Sequence, residues 1–261
     1  RSAQGDYLFF RPSRYRQIFC PRPSDLTTSR AEGDPARSRR DRVRMRERIK
    51  ETDQGIQGEV DVRNFDRMQR HLRDRGLIAT DEIIRSGIAG GLALELGPGP
   101  GYLGLEWLQR TDETSLKAVE ISRHMIDVAR KNAREYGLAA RVEYTLGRVE
   151  AIPFADAAFD AVFSNGSLHE WSKPERAFHE IHRILKPGGR WYITDLKRNM
   201  NPAVIWFMKV SVRPAEMRPG LQTSIDAAYT RSELETILAG TPLESSSLSE
   251  NPFGLRVLGV K

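Results

Sequence analysis

Between Leu92 and Gly101 an apolar run, Leu92-Ala93-Leu94-Glu95-Leu96, ends in three glycines at alternate positions, Gly97-Pro98-Gly99-Pro100-Gly101. A short apolar run bounded by turn residues and followed by a helical period reads as a buried strand feeding a helix. The unit recurs along the chain. Leu116–Glu120, Val142–Leu146, Phe159–Ser164 and Trp191–Thr194 read as further strands. Helices stand between them: one from Tyr102, and one capped by Ser122 that puts Met125, Ile126, Ala129 and Ala133 on a single face and stops at Gly137. A third runs over Pro174–Leu185, with Ala177, Phe178, Ile181, Ile184 and Leu185 on one face and Lys186-Pro187-Gly188-Gly189 as its stop. Such alternation predicts an α/β fold with a doubly wound, mainly parallel sheet and helices on both faces. Thr230 and Glu233 have capping-box spacing for a late helix carrying Leu234, Ile237 and Leu238. The last two strand-like runs, near Glu244–Leu248 and Phe253–Val260, have no helix between them. They are expected to form an antiparallel edge hairpin that brings the sheet to seven strands.

Upstream of the first strand, Phe65, Met68 and Leu72 recur at helical spacing before Gly76, and Thr80 is placed to cap a short helix with Ile83, Ile84 and Ile88. These helices are expected to pack on the sheet or cover a ligand. Residues 1–50 are different: rich in Arg, Pro and Ser, without sustained period, they read as a basic, disordered extension. Fourteen basic residues against six acidic ones fall there, so the net charge of +6 belongs to this segment and the remainder is close to neutral. The near-neutral remainder gives no expectation of a nucleic-acid partner for the folded domain. Residues 1–44, ahead of Met45, are expected to be dispensable for folding, a targeting peptide or a nucleic-acid arm around Arg37–Arg40 being the other reading. The domain then spans 51–261, with N-terminal helices over 51–90, a ligand-binding core over 91–198, a candidate acceptor lid over 199–229, and a helix and hairpin over 230–261. No apolar run reaches the roughly 20 residues of a membrane span, and the single cysteine, Cys20, allows no disulfide. A soluble, cytoplasmic protein is expected.

In doubly wound sheets, ligands bind at the carboxyl ends of the strands where strand order reverses, and the glycine loop stands at such an end. Its spacing is G-x-G-x-G, with Tyr102 where a dinucleotide fingerprint would need its third glycine. Glu95 can accept a hydrogen bond from a cationic amino group, whereas a carboxylate there would repel a pyrophosphate. Glu120, about 20 residues beyond the loop, is placed to take both hydroxyls of a ribose, a feature that nicotinamide sites share.

Glu95–Gly101, Val119-Glu120-Ile121-Ser122, Pro153-Phe154, Phe159-Asp160-Ala161-Val162 and Leu185-Lys186-Pro187-Gly188-Gly189 together resemble successive motifs of class I S-adenosylmethionine-dependent methyltransferases. The likeness is nearest to the small-molecule branch that includes quinone-biosynthesis methyltransferases, and it covers roughly residues 60–260. It implies S-adenosyl-L-methionine as cofactor and a small-molecule methyl acceptor as partner. By position it implies that Glu95, Gly97, Gly99 and Gly101 hold the methionine and ribose part, that Glu120 holds the ribose, that Ile121 packs on the adenine, and that Asn165 lies near the sulfonium. One departure is Arg148, which stands where the family has an aspartate for the adenine amino group. A guanidinium accepts no hydrogen bond, so it either stacks on the ring or turns to solvent, leaving recognition to the backbone around Val149.

Methyl transfer from a sulfonium needs alignment, exclusion of water and, for a weak nucleophile, removal of a proton. After the fourth strand the chain reads Ser164-Asn165-Gly166-Ser167-Leu168-His169-Glu170-Trp171. His169 and Glu170 are the candidate catalytic groups there, the bland alternative being that His169 buttresses the next helix. Asp195, at the end of the fifth strand, and Tyr229 are secondary candidates. His179 and His182 form an incomplete ligand set, so no metal is expected. The connection Asp195–Tyr229, longer than ordinary, carries Ile205-Trp206-Phe207-Met208, which could line an acceptor pocket, pack on the sheet or touch a membrane. Two competing readings are a cofactor-binding module without catalysis and a nicotinamide-dependent oxidoreductase.

Overall fold

The computed structural model describes residues 47–51 and 54–261. Cys20, the Arg37–Arg40 run and the expectations for residues 1–44 lie outside the described residues. In chain order the elements are α1 (Glu59–Asp74), α2 (Thr80–Arg85), β1 (Gly91–Leu96), α3 (Tyr102–Gln109), β2 (Thr114–Glu120), α4 (Arg123–Glu135), β3 (Val142–Leu146), β4 (Phe159–Asn165), α5 (Pro174–Ile184), β5 (Leu185–Leu196), α6 (Pro202–Ser211), α7 (Arg218–Ala227), α8 (Arg231–Ala239), β6 (Ser247–Glu250) and β7 (Gly254–Val260). The sheet has seven strands in the order β3-β2-β1-β4-β5-β7-β6. β1 to β5 pair in parallel, and β7 runs antiparallel to both β5 and β6. The strand order reverses between β1 and β4, which makes their carboxyl ends the place for a ligand.

Side-chain parity along the buried strands builds both faces. Leu94, Leu96 and Val162 join Phe178, Ile181, Leu234 and Leu238 under α5 and α8. Ala93, Ala161 and Phe163 pack with Ile83, Trp107 and Leu108 under α2 and α3. The Trp107 indole donates to the Ile88 carbonyl at 2.8 Å, tying the entry to β1 onto α3. Ser122 caps α4 by accepting from the Met125 amide, and Thr230 and Glu233 form a full capping box on α8.

Four local expectations need correction. Ala79, not Thr80, is the N-cap of α2, and the Thr80 hydroxyl is buried without a partner among the described residues. Thr80 already lies inside the first turn, where its side chain cannot reach forward to a free amide. Lys186–Gly189 does not precede the fifth strand but lies inside it as an irregularity, pairing passing from Phe159↔Leu185 directly to Ala161↔Arg190. Glu244 and Ser245 are turn residues, so the sixth strand starts only at Ser247. Finally, residues 48–51 belong with the folded part: the Ile49 amide donates to the Asp226 carbonyl at 3.1 Å, and Arg48 bonds the carbonyls of Ala227 and His169.

The connection after β5 is built from α6, a 3-10 turn and α7. No residue of α6 is buried, and Trp206 and Phe207 are 66% and 55% exposed, so the aromatic run does not pack onto the sheet. α7 is anchored by Ile225 and Ala227. Among the described residues no helix is long and apolar enough to cross a membrane.

Candidate active site

The loop after β1 is held by its own backbone: the Gly97 amide donates to the Val119 carbonyl and the Gly101 amide to the Pro98 carbonyl, each at 3.0 Å. Gly97 and Gly101 sit at φ +66° and +85°, a region side chains rarely occupy. A Cβ would also come within 2.6 Å of the Ser167 side chain at Gly97 and 2.6 Å of the Tyr144 hydroxyl at Gly101. Gly99 donates its amide to Glu120 Oε2 at 3.0 Å, and Ser122 donates its amide to Glu120 Oε1 at 2.9 Å. Glu120 therefore joins the loop to the start of α4. Each oxygen keeps a second lone pair, so a ribose diol can still be accepted. Burial raises the Glu120 carboxyl, while the amides of Ser122, Gly99 and Ile121 oppose that rise.

Glu95 is the fifth residue of β1. Parity puts it on the α3 side of β1, 2% exposed. Its carboxyl approaches the Gly104 amide, a first-turn donor that α3 itself leaves unused. Glu95 Oε2 has no hydrogen-bond partner among the described residues, and neither has the Tyr144 hydroxyl. Burial, with the Glu120 charge adding, pushes the Glu95 carboxyl up to about 8. Burial therefore favours the neutral form of this acid beneath the loop.

The pKa has a consequence for stability. The folded value lies above the ordinary 4.5, so the protonated acid's contribution is complete below 4.5 and is lost as pH rises through about 8. The loss reaches roughly 5 kcal/mol at most. Glu95→Gln is expected to remove this slope, so its melting temperature should gain on the wild type from pH 5 to pH 8.5. A constant difference between the two melting curves would contradict the assignment.

Further contacts around the loop come from the helix expected to cover a ligand and from the segment ahead of it. Phe65 of α1 stands over Gly99, so a Cβ there would lie 3.1 Å from its ring. Tyr102 donates to Asp66 at 2.9 Å, which also accepts from Asn132 of α4. Gly55 lies against Ile121 and beside Glu120, and the Ser122 hydroxyl donates to the Ile56 carbonyl at 2.7 Å. The segment before α1 thus covers the carboxyl end of β2. The expected residues farther along are less concentrated. Arg148 is exposed, with Nε 3.8 Å from Glu150, and Val149 is half-buried against the core. Asn165 is exposed at the end of β4 and accepts from the Thr194 hydroxyl at 2.7 Å. Ser164 and Ser167 do the stitching there, both donating to the Leu96 carbonyl.

His169 and Glu170 lie on the 3-10 turn after β4. His169 is 4% exposed, and its Nδ1 is 2.9 Å and 3.0 Å from the two Asp195 oxygens. Asp195 also accepts the His169 amide at 2.5 Å and the Leu196 amide at 2.7 Å. Nε2 faces Glu51 at 3.6 Å and Glu170 at 4.0 Å. Burial opposes a charge on His169, but Asp195, followed by Glu170 and Glu51, outweighs it and pushes the imidazole up to about 9. Burial pushes Glu170 up to about 7 against the opposing pull of His169. Tyr229, buried beside this corner, has Arg48 stacked over its ring at 4.1 Å. His179 and His182 stay on α5, away from any such cluster among the described residues.

Residues 94–193 match a family described as a methyltransferase domain. The methyltransferase GfsG of Streptomyces halstedii is 33% identical over 108 residues, 41% of this chain and 38% of that protein. The ubiquinone/menaquinone biosynthesis C-methyltransferase UbiE of Roseobacter denitrificans is 28% identical over 116 residues, 44% of this chain and 46% of that protein. The chain spans less than half the length of these curated relatives. A Methanococcus maripaludis structure assigned as an S-adenosyl-L-methionine-dependent methyltransferase superposes with a TM-score of 0.63 at 25% identity, covering 78% of this chain and 96% of that one. The residues present fit that cofactor: a side-chain-free cradle at Gly97–Gly101, and beside it a buried carboxylate with lone pairs to spare. Residues 94–193, within a class I, Rossmann-like sheet, thus match a methyltransferase domain, and S-adenosylmethionine is the cofactor that this match and the superposed structure imply.

Proposed function

We propose that the chain transfers a methyl group from S-adenosylmethionine to a small-molecule acceptor, in a cytoplasmic setting, with His169 and Glu170 contacting that acceptor. The observation that carries the reading is the adjacency, at one end of the sheet, of the Glu120-tied glycine loop and the buried His169–Asp195 pair. When bound, the cofactor supplies a methyl group on a sulfonium, open to in-line displacement. The chain's own part is to align and to exclude water. Gly97, Gly99 and Gly101 give the backbone room to approach the ligand, with Glu95 bracing the loop from below. Glu120 would hold the ribose and Ile121 would pack on the adenine, with Arg148 and Val149 as further candidates for that part of the cofactor. Asn165 stands at the methionyl end. Asp195 fixes the imidazole through Nδ1, so that Nε2 and the Glu170 carboxyl face the space beyond, where an acceptor's polar atom would be held. α6, whose Trp206 and Phe207 are exposed, is the candidate cover for an acceptor with an apolar body.

The small-molecule class rests on the near-neutral charge of residues 51–261 and on relatives whose names are those of small-molecule enzymes, including quinone C-methylation. The test is incubation of the purified chain with methyl-labelled S-adenosylmethionine and a cell metabolite extract. Label is expected in a small-molecule fraction, in proportion to enzyme. Label found only in protein or nucleic acid, or in neither, would contradict the reading.

A further inference from the structure

Around His169 three carboxylates converge from three separate segments. Asp195 comes from β5, Glu170 from the turn that carries His169, and Glu51 from the segment ahead of α1. Asp195 occupies Nδ1 and leaves Nε2 as the outward atom. Among the described residues its nearest charged neighbours are Glu51 Oε2 at 3.6 Å and Glu170 Oε1 at 4.0 Å, beyond hydrogen-bonding distance whichever nitrogen carries the proton. The side chain is nine-tenths buried and aimed between two carboxylates. Glu51 is itself steadied, because its other oxygen accepts from Ser224 of α7 at 3.3 Å. The nearby guanidinium, Arg48, is engaged with the carbonyls of His169 and Ala227 and with the Tyr229 ring. It makes no ion pair with any of the three carboxylates among the described residues.

We propose that Glu51, His169 and Glu170 form a binding site for one divalent transition-metal ion, with His169 Nε2 and one oxygen from each glutamate as ligands. Their ligand atoms all lie within 4.8 Å of one another. Ligands about 2.1 Å from a common ion stand about 3.0 Å apart at right angles and about 4.2 Å apart when opposed, so only a small contraction closes the set. The carboxylate–histidine–metal relay, in which the ring nitrogen away from the metal is held by an acid, is the usual second layer of such sites, and Asp195 provides it. An imidazole with two carboxylates suits Mn²⁺ or Zn²⁺ better than Mg²⁺, which prefers oxygen alone. This departs from the sequence expectation of no metal, because Glu51 is 118 residues from His169 in the chain. Bound there, the ion would stand between Nε2 and the acceptor and take over the direct contact proposed above by holding an acceptor oxygen; only that role rests on the proposed function, and the site itself does not.

The full chain, freed of metal with a chelator, should be titrated with Mn²⁺ alone and followed by electron paramagnetic resonance. One equivalent is expected to bind, with nitrogen hyperfine coupling that disappears in His169→Ala. Glu51→Gln and Glu170→Gln should each weaken binding at least tenfold, and excess Mg²⁺ should fail to displace the ion. Melting curves identify any variant that does not fold, and the wild-type titration stands without the variants. Absence of saturable one-to-one binding, absence of nitrogen coupling, or affinity unchanged in both folded glutamate variants would overturn the proposal. A parallel titration with S-adenosylmethionine keeps the two readings apart, since failure of either leaves the other measurable.

Discussion

His169→Ala is expected to lower the rate of methyl transfer by about 10²-fold or more while changing S-adenosylmethionine affinity by less than about twofold. The two effects separate because the imidazole touches Asp195, Glu51 and Glu170, whereas the loop and Glu120 make none of the His169 contacts. Loss of the ring leaves Asp195 still accepting the amides of residue 169 and Leu196, so the fold is not left with an unpaired buried charge. Asp195 acts through the ring, as a positioning residue. Asp195→Asn should therefore lower turnover less than His169→Ala does and shift the pH profile, which a purely structural role would not do. Single-turnover kinetics with saturating cofactor is the measurement. Turnover equal to that of the wild type would leave His169 as a buttress of the following turn and nothing more.

Glu120→Ala is expected to weaken S-adenosylmethionine binding by about 100-fold. The carboxylate accepts amides from Gly99 and Ser122, so its removal unties the loop as well as taking away the ribose acceptor. Two charge-assisted hydrogen bonds at about 1.5 kcal/mol each account for a loss of that size. Glu120→Gln keeps one acceptor oxygen but turns an NH₂ toward one of the two amides, so a loss of about tenfold, between the extremes, is expected. Calorimetric titration reads both. Affinity unchanged in the alanine variant would place the cofactor elsewhere.

The fold was legible because its strands are short apolar runs with a glycine or a charged turn at each end, and its helices carry one apolar face. Local signals translated directly: Ser122 and the Thr230–Glu233 box sit where their spacing puts them. Thr80 shows the limit of that reasoning. A threonine before an apolar period looks like a cap, yet the chain begins the turn one residue earlier. Glu95 shares a face with Ala93 that α3 covers, a placement its strand parity makes legible. The parts of the site that escaped the sequence are long-range. Arg48 reaches Ala227 across 179 residues, and Glu51 reaches Ser224 across 173. Nothing in the Arg-rich stretch marks Arg48, or Glu51 just after it, as a residue that docks. Asp195 and His169 were each picked out, but their pairing depends on the parallel register of β4 and β5, which sequence spacing alone does not specify.

The most direct test of the central claim is a pair of calorimetric titrations of the full chain, one with S-adenosylmethionine and one with NAD⁺. One-to-one binding of S-adenosylmethionine, lost in Glu120→Ala, with no heat from NAD⁺, is the predicted result. Tighter binding of NAD⁺, or no binding of S-adenosylmethionine by the folded wild type, would contradict it.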